Sequence, residues 1–106
     1  MRLTPDEIDA IISVLSPYIK ITAELKLFGS RVDDAKKGGD IDLLLIVAES
    51  TARSEIIYHK PEILGEIKHR IGDQKIDILV TTSTAAKTDA FIQTILPDSI
   101  SLKQWT

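Results

Sequence analysis

Three aspartates and a Gly-Ser pair are the residues of this chain best suited to chemistry. Asp40-Ile41-Asp42 opens the apolar run Leu43-Leu44-Leu45-Ile46-Val47, and Gly29-Ser30 closes an earlier run that ends Leu27-Phe28. Side chains alternate across a strand, so Asp40 and Asp42 share one face, about 7 Å apart, with Leu44 and Ile46. Ile41, Leu43, Leu45 and Val47 line the other face. In the later run Lys75-Ile76-Asp77-Ile78-Leu79-Val80, Asp77 lies on the face opposite Ile76, Ile78 and Val80. If the two strands are neighbours, roughly 4.8 Å apart, the three carboxylates converge.

Like charges that close repel and raise one another's pKa unless a positive charge lies between them. A divalent cation is the simplest remedy. Hard oxygen donors, no cysteine and no well-placed histidine favour Mg²⁺ or Mn²⁺ over Zn²⁺. Magnesium held by a few carboxylates keeps room for water and substrate phosphates. At Gly29-Ser30 the backbone can approach a phosphate closely, its N–H groups can form an anion nest, and the Ser30 hydroxyl adds a donor. Arg31 offers a bidentate contact, with Lys36 and Lys37 as further charges.

Each residue has a plainer reading. Asp40 and Asp42 are also ordinary strand-start acids after a turn, and Asp77 an exposed acid on an edge strand. Ser30 suits turn closure, and Arg31 a surface ion pair worth little. His59 and His69, ten residues apart on a helical stretch, read as solvated rather than as a ligand pair. Trp105, Tyr18 and Tyr58 read as packing aromatics rather than base-stacking platforms.

The elements that must position these residues follow from periodicity. Thr4, Pro5 and Glu7 form a capping-box start for a helix with Ile8, Ile11, Ile12 and Leu15 on one stripe, ended or kinked at Ser16-Pro17. Strands are expected at about residues 22 to 28, 40 to 48 and 75 to 82, with Gly38-Gly39 as a turn before the second. A helix is expected at about residues 54 to 71, kinked or divided by Pro61 and stopped by Gly72, and another at about 86 to 96 before Pro97. The tail Ser99 to Trp105 suits a short edge strand. The expected fold is α+β (α/β), a small mixed sheet with helices packed on one face.

One domain is expected of 106 residues, 43% hydrophobic and 27% charged. A net charge of −3 argues against a broad basic face for extended nucleic acid, without excluding a local phosphate patch. The longest apolar run, Leu43 to Ala48, is far short of the about 20 residues that span a bilayer, and the start lacks a signal-peptide core. With no cysteine, the expected setting is cytoplasmic, away from membranes.

Gly29-Ser30, nine intervening residues, Asp40-Ile41-Asp42 and a later strand Asp77 resemble the polymerase-β-type nucleotidyltransferase superfamily, in particular its minimal single-domain members. The motif covers residues 27 to 47 and 75 to 80, and the element order most of the chain. The resemblance implies a polymerase-β palm-like fold in which Asp40 and Asp42 bind two Mg²⁺ ions. Asp77 would share the second ion and help take the proton of an attacking hydroxyl, while Gly29 and Ser30 hold the β- and γ-phosphates of ATP or another nucleoside triphosphate. Many minimal members follow Gly-Ser-Arg with Arg-Gly; here Val32-Asp33-Asp34 stands instead.

The function expected is therefore Mg²⁺-dependent transfer of a nucleoside monophosphate, AMP from ATP, to a hydroxyl of a protein or an RNA end. The resemblance implies an antitoxin beside a small helical HEPN-type toxin; a homo-oligomer is the other way to complete an acceptor surface. The alternative is a binding module with a degenerate site that neutralises a partner by contact, which Val32-Asp33-Asp34 favours. A metal-dependent glycosyltransferase ranks last, because the chain is short for a nucleotide-sugar fold.

Overall fold

The protein is described here from a computed structural model, which covers residues 1–33 and 39–106. Asp34, Lys36, Lys37 and Gly38, which entered the reading of the loop, lie outside the described residues. The first helix, α1 (Pro5–Leu15), starts with the expected capping box: the Thr4 side chain accepts from the Glu7 N–H, and Glu7 accepts from the Thr4 N–H. It gives way to a 3₁₀ turn at Ser16–Tyr18, where Pro17 withholds the next backbone donor. Strands β1 (Ala23–Phe28) and β2 (Ile41–Val47) pair antiparallel. A long helix, α2 (Ser50–Ile71), then returns the chain so that β3 (Ile76–Thr82) lies parallel to β2. Two short helices, α3 (Ser83–Ala86) and α4 (Ala90–Ile95), lead to β4 (Ile100–Trp105), which pairs antiparallel with β1.

The result is a mixed α+β sheet in the order β3-β2-β1-β4. Strand β2 is interior, which explains its near-continuous apolar run: it is covered on both faces. On one face Ile41, Leu43, Leu45 and Val47 join Ile76, Ile78 and Val80 beneath α1 and α2, packing on Ile11, Val14, Leu15, Ile56, Ile63 and Ile67. On the other, Leu44 packs with Ala86 and Ile92. Helices therefore flank both faces, which corrects the expectation of a single helical layer. The helix expected over 86–96 is shorter, α4 with Asp89 as its N-cap, and a separate one-turn helix, α3 with Thr82 as its N-cap, precedes it.

Pro61 neither divides α2 nor ends it; the helix runs unbroken from Ser50 to Ile71. The missing N–H falls at an exposed position, and the carbonyl it leaves unpaired one turn back belongs to Ile57, also exposed. Ile56, Ile63 and Ile67 anchor the helix to the core on both sides of the proline. The tail strand is present, and the Trp105 Nε1–H donates to the Ser16 hydroxyl at 3.2 Å, tying β4 to the end of α1. Among the described residues no helix is long and apolar enough to cross a membrane.

Glu7 does more than cap. Gln74, just beyond α2, donates to its carboxylate at 2.6 Å, joining the start of the chain to the turn before β3. Burial works to raise the Glu7 carboxyl, but hydrogen bonds from Thr4 and Gln74 and the nearby Arg31 charge outweigh it and hold it below its usual value. A lowered folded-state pKa contributes stability at neutral pH that is lost as the pH falls through and below the ordinary glutamate range. Glu7→Gln should therefore destabilise at pH 7 and flatten the acid limb between about pH 5 and 3, as read by circular dichroism.

Candidate functional site

The order of strands decides the geometry of the acids. Asp42 of β2 and Asp77 of β3 are register partners, so the two carboxylates stand side by side on one face. Phe28 of β1 is the partner of Asp42 on the other side, and a row Asp77–Asp42–Phe28 runs across three strands. Asp40 precedes β2 and is exposed; the Ile41 N–H donates to the Lys75 carbonyl at 2.9 Å, which joins the starts of the two strands. Burial, then the negative charges of Asp40 and Asp77, push the Asp42 carboxyl above its usual value. Asp40 and Asp77 thus both lie within electrostatic reach of Asp42.

Why this end of the face stays open follows from the layer above it. The cover of α3 and α4 packs on Leu44, which is fully buried, whereas Asp42 two residues earlier is only half-buried. Phe91 of α4 meets Phe28 edge to face, ring centres 6.1 Å apart, and stays 56% exposed. An aromatic surface thus borders the acids. Sequence reasoning missed it, because Phe28 and Phe91 lie far apart in the chain on separate elements.

The Gly-Ser turn lies against the same carboxylate. Gly29–Val32 form a 3₁₀ turn directly after β1, and Gly29 has φ +80°, a conformation that favours glycine. A Cβ at Gly29 would stand 2.5 Å from the Asp42 Oδ2. Gly39, with φ +91°, packs in the same way on the Ser30 side chain, where a Cβ would collide with the hydroxyl. The permissiveness read as room for a phosphate is first used for close packing within the protein.

Arg31 makes its hydrogen bonds within the protein. Its guanidinium donates to the Gly39 carbonyl (3.3 Å), the Arg2 carbonyl (2.9 Å) and the Gln74 Oε1 (2.9 Å). Arg2 answers from the other side: its guanidinium donates to the Ser30 carbonyl at 3.1 Å and its N–H to the Arg31 carbonyl at 2.7 Å. Two arginines thus brace the turn that carries Gly29 and Ser30. Arg31→Ala should cost about 1.5–3 kcal/mol in urea unfolding, the range for hydrogen bonds to a charged group.

The donor set suits a hard divalent ion in kind: carboxylate oxygens on one face, with Gly29 leaving space for Asp42. It is not drawn into a cage. Among the described residues no group of three or more His, Cys, Asp or Glu side chains stands where it could hold a metal ion. Asp77 is instead paired with Lys60 of α2, Nζ to Oδ1 2.8 Å, a partner the sequence reading did not foresee. His69 is exposed as expected, but His59 is half-buried between the rings of Tyr18 and Tyr58. Comparison with protein-family models, with curated proteins and with solved structures found no match to the chain.

Proposed function

We propose that the protein is a Mg²⁺-dependent nucleotidyltransferase, moving AMP from ATP to a hydroxyl on a protein or an RNA end. The observation that supports it most is the register pairing of Asp42 with Asp77, beside a Gly-Ser turn packed on Asp42. Asp40 and Asp42 would hold the triphosphate's cation, and Asp77 would share a second. When bound, such ions neutralise the phosphates and stabilise the entering and leaving oxygens. The acceptor hydroxyl oxygen would form a bond to the α-phosphorus as the bond to the bridging oxygen breaks. Pyrophosphate leaves, and an Asp77 carboxylate oxygen takes the proton. Gly29 and Ser30 would seat the β- and γ-phosphates, with Arg31 and Arg2 keeping the turn rigid. An all-helical HEPN-type protein is the proteinaceous acceptor this reading favours.

The test is calorimetric titration of ATP with Mg²⁺ and again with EDTA, followed by incubation with α-labelled ATP and an RNA 3′ end or a HEPN-type protein. Binding that needs Mg²⁺, and label transferred to an acceptor, is the expected result. ATP binding indifferent to EDTA would refute the site.

A second reading has its own observation. Lys60 already pairs with Asp77, and Arg31 is spent on protein acceptors. A binding module that neutralises its partner by contact would keep both. Mg²⁺-dependent ATP binding without label transfer to either acceptor is the result it predicts.

A further inference from the structure

Ile57, Leu79 and Phe91 are large apolar side chains left exposed, and all three border the open edge of the sheet at β3. Arg53 of α2 donates to the Val80 carbonyl at 2.9 Å, and Lys60, two turns later, pairs with Asp77 at 2.8 Å. The helix therefore runs antiparallel to β3 along its open side. Ile57 lies between these residues at i+4 from Arg53, on the same stripe of α2, and is 40% exposed. At the matching height on the strand, Leu79 points from the other face, is 37% exposed, and shares a groove with Phe91 and Arg53. The edge thus has an apolar middle, a cation at one end and a carboxylate at the other.

Its backbone is open as well. The Ile41 N–H donates to the Lys75 carbonyl, so by alternation Asp77, Leu79 and Thr81 turn their peptide groups to β2. Ile76, Ile78 and Val80 turn theirs outward, and the Arg53 bond to Val80 agrees with this. A charged side chain over an edge is its ordinary protection, but apolar Ile57 and Leu79 protect nothing there. Among the described residues Arg53 has no carboxylate partner, while Asp77 stays exposed beside Lys60.

We infer that this edge is the contact of a homodimer, in which two β3 strands pair antiparallel across a twofold axis at Leu79. A second copy fits because the edge is complementary to itself. A half-turn about that axis sets Ile78 opposite Val80 of the second copy, and their outward groups exchange hydrogen bonds. It brings each Leu79 and each Ile57 against its own counterpart. It also carries Arg53 of each copy to Asp77 of the other, on the side of that carboxylate turned away from Asp42. The Val80 carbonyl keeps a donor, because the Ile78 N–H of the second copy replaces Arg53. The inference needs neither cation nor nucleotide and stands apart from the nucleotidyl-transfer reading.

The experiment is sedimentation velocity of the full chain, without metal or nucleotide, over about 1–500 µM, which brackets the affinities of small interfaces. Wild type should pass from monomer to dimer. Leu79→Lys, which places like charges on the axis, should stay monomeric; should it fail to fold by circular dichroism, Ile57→Lys is measured in its place. Arg53→Glu and Asp77→Arg should each weaken the dimer about tenfold or more, because each sets like charges together at both contacts. An equimolar mixture of those two variants should dimerise again, since opposite charges then meet at both contacts. A wild type that stays monomeric throughout would overturn the inference. So would a dimer that Leu79→Lys or the single charge variants leave intact, or two weakened variants that do not recover when mixed.

Discussion

Gly29→Val is expected to lose about 2–4 kcal/mol of stability and, on the proposed function, all Mg²⁺-dependent ATP binding, through two effects that act together. A β-branched residue at φ +80° is held in a region that L side chains rarely occupy. Its Cβ would also stand 2.5 Å from the Asp42 Oδ2, so the carboxylate must move. The turn cannot retreat, because Arg2 and Arg31 brace it on both sides. Against a total stability of about 5–15 kcal/mol for a domain, this is a large fraction. A thermal melt should show a fall of about 10–20 °C. Gly39→Ala tests the neighbouring contact, since its Cβ meets Ser30 rather than Asp42. An unchanged melting temperature for Gly29→Val would mean that the turn and the carboxylate are not in contact in solution.

The second large effect has opposite signs in stability and in binding. Asp42→Asn should raise Tm by a few degrees in metal-free buffer and, on the proposed function, abolish the stabilisation expected of Mg²⁺ with ATP. Burial and the charges of Asp40 and Asp77 make ionised Asp42 unfavourable in the folded state. A folded-state pKa above the unfolded one means that the folded protein holds the proton more tightly. This penalty is absent at low pH, grows as pH rises through the interval between the two values, and is complete at neutral pH. A neutral isostere removes it. A residue that costs the empty fold stability is the usual mark of one kept for a ligand. Scanning calorimetry with EDTA and with Mg²⁺-ATP checks both halves. A less stable Asp42→Asn in EDTA would show that the carboxylate is structurally compensated and that the crowding of charges is not what marks the site.

Much of this was legible before any coordinates. The capping box of α1, the stop at Ser16-Pro17, the three strands around Gly29, Asp40 and Asp77, and the tail strand all follow from local signals that act within a few residues. Local signals could not reveal that α2 continues through Pro61, because packing at Ile56, Ile63 and Ile67 supports the helix on either side. Nor could they divide α3 from α4 or place both on the far face of the sheet. That face reads as apolar only at Leu44 and Ile46, and what covers it is decided by the path of the chain after β3.

The sequence by itself determined that Asp40 and Asp42 share a face, because alternation along a strand is a property of the backbone alone. It also placed the Gly-Ser turn at the end of the preceding strand. Tertiary structure decided which strands are neighbours, and so brought Asp77 into register with Asp42 and set Gly29 against it. It also turned Arg31 into a brace and carried Lys60 round the sheet edge to Asp77. The reason is physical: strand periodicity is written in adjacent residues, whereas ion pairs between side chains far apart in the chain depend on how the layers pack.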